Sequence, residues 1–153
     1  MVYSIDTSAI LDGHNRYYPP DVFPKLWENL QVLINNGKLR AVGLVLKELE
    51  RKDDAAKDWA KKQSMLFQEV NEEVQKIVTT IMGKYPKIMK KGGQKNEADP
   101  FVIAFAKCNN FIVVTGEIKP GNENTPTIPF LCREFDVKYI NILELIRLEK
   151  WLF

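Results

Sequence analysis

Four acidic residues stand where a parallel α/β chain places its chemistry. Asp6 closes the short β-branched and aromatic run "VYSI", and Glu117 directly follows the apolar run "FIVVTG". Glu48 in "LVLKELERK" and Asp99 in "EADPFVIAFA" lie on segments of helical character whose starts are expected to face the same sheet edge. In open parallel sheets the functional crevice lies at the carboxyl ends of the strands. Carboxylates gathered there repel one another and raise one another's pKa unless a cation neutralises them. Hard oxygen ligands that leave waters on the ion suit Mg²⁺ or Mn²⁺. Such an ion lowers the pKa of a bound water and stabilises the charge that develops on a phosphodiester during in-line displacement. The chemistry implied is that of a nuclease.

Each acid also has an ordinary reading. Asp6, followed by Thr7 and Ser8, could form a turn or cap, and Asp99 before Pro100 could cap a helix with proline at its first position. Glu48 could be an exposed helix acid, but Leu44 and Val45 lie one turn back, while Lys47 and Arg51 better occupy the solvent face. Glu117 could be a plain turn acid; the preceding Thr115-Gly116 is what makes it of interest.

The composition narrows the classes. In 153 residues, 45% are hydrophobic and 27% charged, the balance of one globular domain that buries a core without disulfides or a structural metal. A net charge of +2 permits nucleic-acid binding without arguing for it. Cys108 and Cys132 have no CxxC spacing and no histidine beside them, so free buried thiols are expected. His14 is the only histidine, which excludes multi-histidine metal sites and argues against a His-based triad. No basic leader precedes a long apolar run, and no window approaches the roughly 18 apolar residues of a membrane helix, so a cytoplasmic protein is expected.

The elements that must position the acids follow from periodicity and breakers. A strand is predicted over residues 2–6. A helix follows, with Asp21 as a plausible cap and Val22, Phe23, Leu26, Leu30, Leu33 and Ile34 in phase until Gly37 stops it. "KLRAVG" reads as a strand leading into the helix that carries Glu48. Residues 55–85 read as helical throughout, with a possible break at Lys62 to Ser64. The Lys-rich loop around Gly92-Gly93 then precedes the buried helix of Asp99 and the central strand "FIVVTGE". A short helix near Phe130 to Phe135, a strand at "VKYINI" and a helix from Leu143 to Trp151 close the chain. Strands alternating with helices argue an α/β fold with a mainly parallel sheet.

With these motifs in order, "SIDTSAILD", "LVLKELERK", "EADPFVIAFA" and "VVTGE", the sequence resembles the PIN-domain family of metal-dependent ribonucleases. "FPKLWENL" and "IPFLCREFDVKYINILEL" resemble segments of a prokaryotic subfamily of toxin-like members, and the likeness covers nearly the whole chain, 1–153. The resemblance implies a three-layer α/β/α sandwich and a cleft that binds one or two Mg²⁺ or Mn²⁺ ions. It implies Asp6, Glu48 and Asp99 as the core acids and Glu117 at a position where many relatives have aspartate. It implies Thr7, Ser8 and Thr115 as hydroxyls that orient these ligands. Glu97 is a further acid with an equal claim to a solvent role. An RNA substrate, a cognate antitoxin and a homodimer are the partners implied.

RNA binding needs positive charge beside the acids. Lys84, Lys87, Lys90, Lys91 and Lys95 fall in a twelve-residue stretch without an acid that leads into Asp99. Phosphate contact and a solvated loop are both open to it. Tyr17 and Tyr18 beside two prolines could stack on a base or simply pack. Two other classes remain: a non-catalytic RNA- or protein-binding module, which would not need four acids, and a nucleotide-binding α/β domain, for which no GxGxxG or GxxxxGK[ST] run is present.

Overall fold

The computed structural model describes residues 1–88 and 97–153. Five parallel strands form one sheet in the order β3-β2-β1-β4-β5, with β1 (Tyr3–Ile5) at its centre. β2 (Leu39–Val42) and β4 (Ile112–Val114) flank β1, pairing Tyr3 with Leu39 and with Ile112. β3 (Phe67–Gln68) and β5 (Tyr139–Ile140) are two-residue edges, in register through Ala41 with Phe67 and Val113 with Tyr139. All three β1 residues are buried, as a strand covered by helices on both sides requires. The result is the expected three-layer α/β/α arrangement.

The helices start where their caps dictate. α1 (Thr7–Asp12) begins at Asp6 and runs on into a π-helical turn, Gly13–Tyr17. α2 (Pro24–Asn35) opens with proline in its first turn and buries Leu26, Leu30, Leu33 and Ile34 along one face. Phe23 occupies its cap position without a side-chain bond, so Asp21 does not cap it. The helix ends before Gly37, whose φ of 71° turns the chain into β2, a conformation that favours glycine. α3 (Gly43–Lys52) carries Glu48.

The long helix expected over residues 55–85 is three elements. α4 (Asp54–Lys61), capped by Asp53, ends at the anticipated break, and β3 then extends the sheet through the Ala41 N–H bond to the Leu66 carbonyl. α5 (Glu72–Lys84) restarts at Asn71, whose side chain accepts from the Val74 N–H at 2.9 Å. Val74, Val78 and Ile81 make its buried stripe, and it packs on α6 (Asp99–Asn109). α6 is the central helix. Val102, Ile103, Ala104, Phe105 and Ala106 are all buried, and it touches β1, β2 and β4. α7 (Ile128–Glu134) and α8 (Ile142–Leu148) close the fold, the latter through an Asn141–Glu144 capping box. Tyr3 in β1 donates to Glu149 at 2.7 Å just beyond α8, tying the end of the chain to the central strand. Among the described residues no helix is long and apolar enough to cross a membrane.

Candidate active site

The four acids come to the carboxyl edge of the sheet by four different routes. β1 ends at Ile5, and the Asp6 N–H still reaches the Val114 carbonyl at 2.9 Å, which fixes its backbone against β4. Asp6 is the N-cap of α1: its Oδ1 accepts from the Ala9 N–H at 2.8 Å. Capping uses only part of the carboxylate, which also takes the Ser8 hydroxyl at 2.9 Å and the Thr115 hydroxyl at 2.6 Å. Ser8 in turn accepts from the Gly116 N–H at 2.9 Å, and Thr115 from the Glu117 N–H at 3.1 Å. The ends of β1 and β4 are thus laced together around one carboxylate.

Thr7 has a different job from its neighbour. Its hydroxyl donates to Glu48 Oε1 at 2.5 Å, holding α3 against the start of α1, while Glu48 Oε2 lies 3.4 Å from the Ala98 N–H at the threshold of α6. Asp99 is the first residue of α6, with Ala98 in the cap position and Pro100 following, so Asp99 is not itself the cap. Exposures of 3% for Asp6, 2% for Glu48 and 8% for Asp99 put all three carboxylates out of bulk water.

Glu117 is positioned by β4 but accepts the Ile128 N–H at 2.8 Å through Oε2, which ties it to the first residue of α7. Glu97 points elsewhere, to Arg51 across 4.0 Å at the surface. Of the lysines, Lys87 donates to Asn124 at 2.7 Å and Lys84 lies 5.9 Å over the Phe135 ring. Lys90, Lys91 and Lys95 lie outside the described residues.

Burial pushes the Asp6 carboxyl up to about 7; the charge of Glu117 acts in the same direction, while Thr115, Ala9 and Ser8 pull against it. Cys132 is buried nearby, its thiol raised chiefly by burial and further by the charges of Asp6 and Glu117. Both cysteines are free, Cys132 buried as expected and Cys108 only half-buried.

The donor set suits a hard divalent ion. Asp6 and Glu48 are buried with no cationic side chain paired to them among the described residues, and a buried carboxylate without a counter-charge is costly. Among the described residues no three of His, Cys, Asp and Glu stand close enough to enclose an ion unaided. Mg²⁺ ordinarily keeps several waters and takes one or two protein carboxylates, so the residues present fit such a partly hydrated ion.

The sequence alone did not single out Asp12 and Arg16. An added Cβ at Gly116 would come within 2.5 Å of Asp12 Oδ2, so Asp12 lies hard against the strand end that carries Thr115. The only signal is spacing: Asp12 and Arg16 follow Asp6 at six and ten residues, on α1 and the π-helical turn that continues it, both too short to repeat a helical period.

This architecture is a PIN-like fold. The chain aligns with the crystal structure of VapBC2 from Rickettsia felis bound to a DNA fragment from their promoter, at a TM-score of 0.56 and 18% identity, covering 92% of this chain and 98% of that one. FitAcB from Neisseria gonorrhoeae aligns at 0.53 with 18% identity, over 92% and 97% of the two chains. PAE2754 from Pyrobaculum aerophilum aligns at 0.50 with 14% identity, over 99% and 98%. At these identities the likeness is one of fold. No curated protein matches the chain. Residues 3–153 match the model of a domain of unknown function, DUF4411, and the protein belongs to that family.

Proposed function

We propose that the protein is a Mg²⁺- or Mn²⁺-dependent ribonuclease whose site is built from Asp6, Glu48, Asp99 and Glu117. The observation that carries this reading is the withdrawal of Asp6, Glu48 and Asp99 from water at one sheet edge, with Asp6 and Glu48 given hydroxyl and backbone donors but no cation among the described residues. A divalent ion held there, directly or through water, would supply an activated water and stabilise charge on the phosphate. Asp6 and Asp99 are the ligands assigned to it, with Glu48 joining directly or through water and Glu117 on the flank toward α7. Ser8 and Thr115 hold the Asp6 carboxylate in one orientation, and Thr7 does the same for Glu48. With no histidine among these residues, removal of a proton from the attacking water would fall to a carboxylate.

The fold it shares with the VapBC and FitAcB structures supports a toxin of a toxin-antitoxin pair with a cognate antitoxin as partner; a cytoplasmic homodimer completes the reading. RNA is the substrate in this reading, and Lys84, Lys87, Lys90, Lys91 and Lys95, in the stretch of sequence before Asp99, are assigned its phosphate contacts.

Asp6→Asn and Asp99→Asn should each abolish Mn²⁺-dependent cleavage of single-stranded RNA while circular dichroism and Tm in the absence of metal remain wild-type or higher. Cleavage by the purified variants at the wild-type rate would remove these residues from the site.

A further inference from the structure

Beside the acids lies a cavity of about 410 Å³ that shares Thr115 with the proposed site and is otherwise unused by it. It falls within the roughly 300–1,000 Å³ range of small-ligand sites. Its lining includes Asp12, Arg16, Tyr17, Thr115, Gly116 and Asn141. Thr115 links it to the acid site, because its hydroxyl donates to Asp6 at 2.6 Å. A chain of nucleotides with its phosphate at Asp6 would have its neighbouring base within reach of this space.

Two features mark the cavity as built. The first is close approach: a Cβ at Gly13 would meet Ile142 Cδ1 at 2.8 Å, and one at Gly116 would meet Asp12 Oδ2 at 2.5 Å and the Ser8 carbonyl at 3.0 Å. Both glycines let the elements that line the cavity approach closely, Gly13 against Ile142 of α8 and Gly116 against Asp12 of α1. The second is the π-helical turn over Gly13–Tyr17, a rare conformation that occurs mostly at functional positions. It separates two adjacent tyrosines. Tyr18 packs edge-on against Phe23 with ring centroids 5.4 Å apart, and its carbonyl accepts the Trp27 indole N–H at 2.7 Å. Tyr17 is turned outward, 58% exposed, with the Arg16 guanidinium 5.6 Å from its ring centroid. The end of the turn is pinned through Tyr18, and the two residues before it present an aromatic face and a cation, the pair used to bind single-stranded nucleic acid by stacking and phosphate contact.

We propose that the cavity between the π-helical turn and the start of α8 is a base-binding subsite for single-stranded RNA, in which Tyr17 stacks on the base next to the scissile phosphate and Arg16 contacts its backbone. Asp12 and Asn141 offer hydrogen-bonding groups to the edge of that base. The proposal rests on the ribonuclease reading for the identity of the ligand and deepens it.

The test uses the full chain and a short single-stranded RNA carrying 5-iodouridine at successive positions, with irradiation and peptide mapping beside steady-state kinetics. The cross-link should map to the peptide containing Tyr17. Tyr17→Ala should weaken the RNA by about tenfold or more, the loss falling on KM rather than kcat, and Tyr17→Phe should recover it. Arg16→Ala should lower the salt dependence of binding by about one phosphate contact. An unchanged KM for Tyr17→Ala, or a cross-link confined to other peptides, would overturn the subsite, and that is also the result expected if the cavity holds a protein segment instead. The two readings fail separately. RNA cleavage that ignores Tyr17 sinks the subsite alone, while a Tyr17 cross-link without cleavage by the wild type sinks the nuclease and keeps the subsite.

Discussion

A carboxyl group whose pKa is lifted to about 7 by burial is a stability statement as much as a catalytic one. In the unfolded chain Asp6 titrates near 3.9. Because the folded value lies above the unfolded one, the group favours the folded state fully below about pH 4, and that contribution is lost as pH rises through about 7. Three pH units at ~1.36 kcal/mol each make this roughly 4 kcal/mol in the absence of metal. Asp6→Asn removes the titration, and its amide retains an oxygen for the Ala9 N–H. The expected outcome in urea unfolding with chelator is that the variant gains on the wild type between pH 4 and pH 8 by about that amount. Parallel pH profiles would mean that Asp6 ionises freely and is not the confined group described here.

Elements, more than residues, bring the acids together. Thr7 and Glu48 are 41 positions apart, yet one hydroxyl–carboxylate bond fixes the first turn of α1 to the middle of α3. Hydrogen bonds to a charged group inside a protein contribute ~1.5–3 kcal/mol. Thr7→Val keeps the shape and removes the donor, so a loss of about 2 kcal/mol is expected in chemical denaturation. Mn²⁺-dependent cleavage should also fall, since Glu48 then keeps only its long 3.4 Å bond from the Ala98 N–H to orient it. A variant with wild-type stability and activity would show that packing alone holds α3 in place. The order of the elements was legible, because strand-end acids, the Pro100 start of α6 and the apolar run of β4 each carry their own signal. What escaped was short. α1 has six residues and needs Asp6 as its cap, so its helical period is cut off before it repeats. β3 has two residues, too few for alternation, and exists because the backbone beside Ala41 needs a partner. With α1 unassigned, Asp12 and Arg16 had no face to belong to, and the cavity they line could not be read.

At the scale of the molecule, the parallel sheet gathers the buried acids among the described residues at one edge of a chain whose overall net charge is +2. That arrangement couples ion binding to folding, because only the folded chain brings Asp6, Glu48 and Asp99 together. A ligand that binds the native state alone stabilises it by RT ln(1 + [L]/Kd), about 2.7 kcal/mol at a hundredfold excess over Kd. For a domain of this size such a gain raises Tm by roughly 5–10 °C. The expected result is a saturable rise in Tm with Mn²⁺ at pH 8. At pH 5 the rise should be much smaller, because a proton then occupies Asp6 and competes with the ion. Asp6→Asn should abolish the rise at both pH values, whereas Glu97→Gln should leave it intact, since Glu97 faces Arg51 at the surface. A Tm that rises equally with Mn²⁺ in wild type and Asp6→Asn would place the ion elsewhere on the protein, and the acidic edge would then lose its claim to be the metal centre.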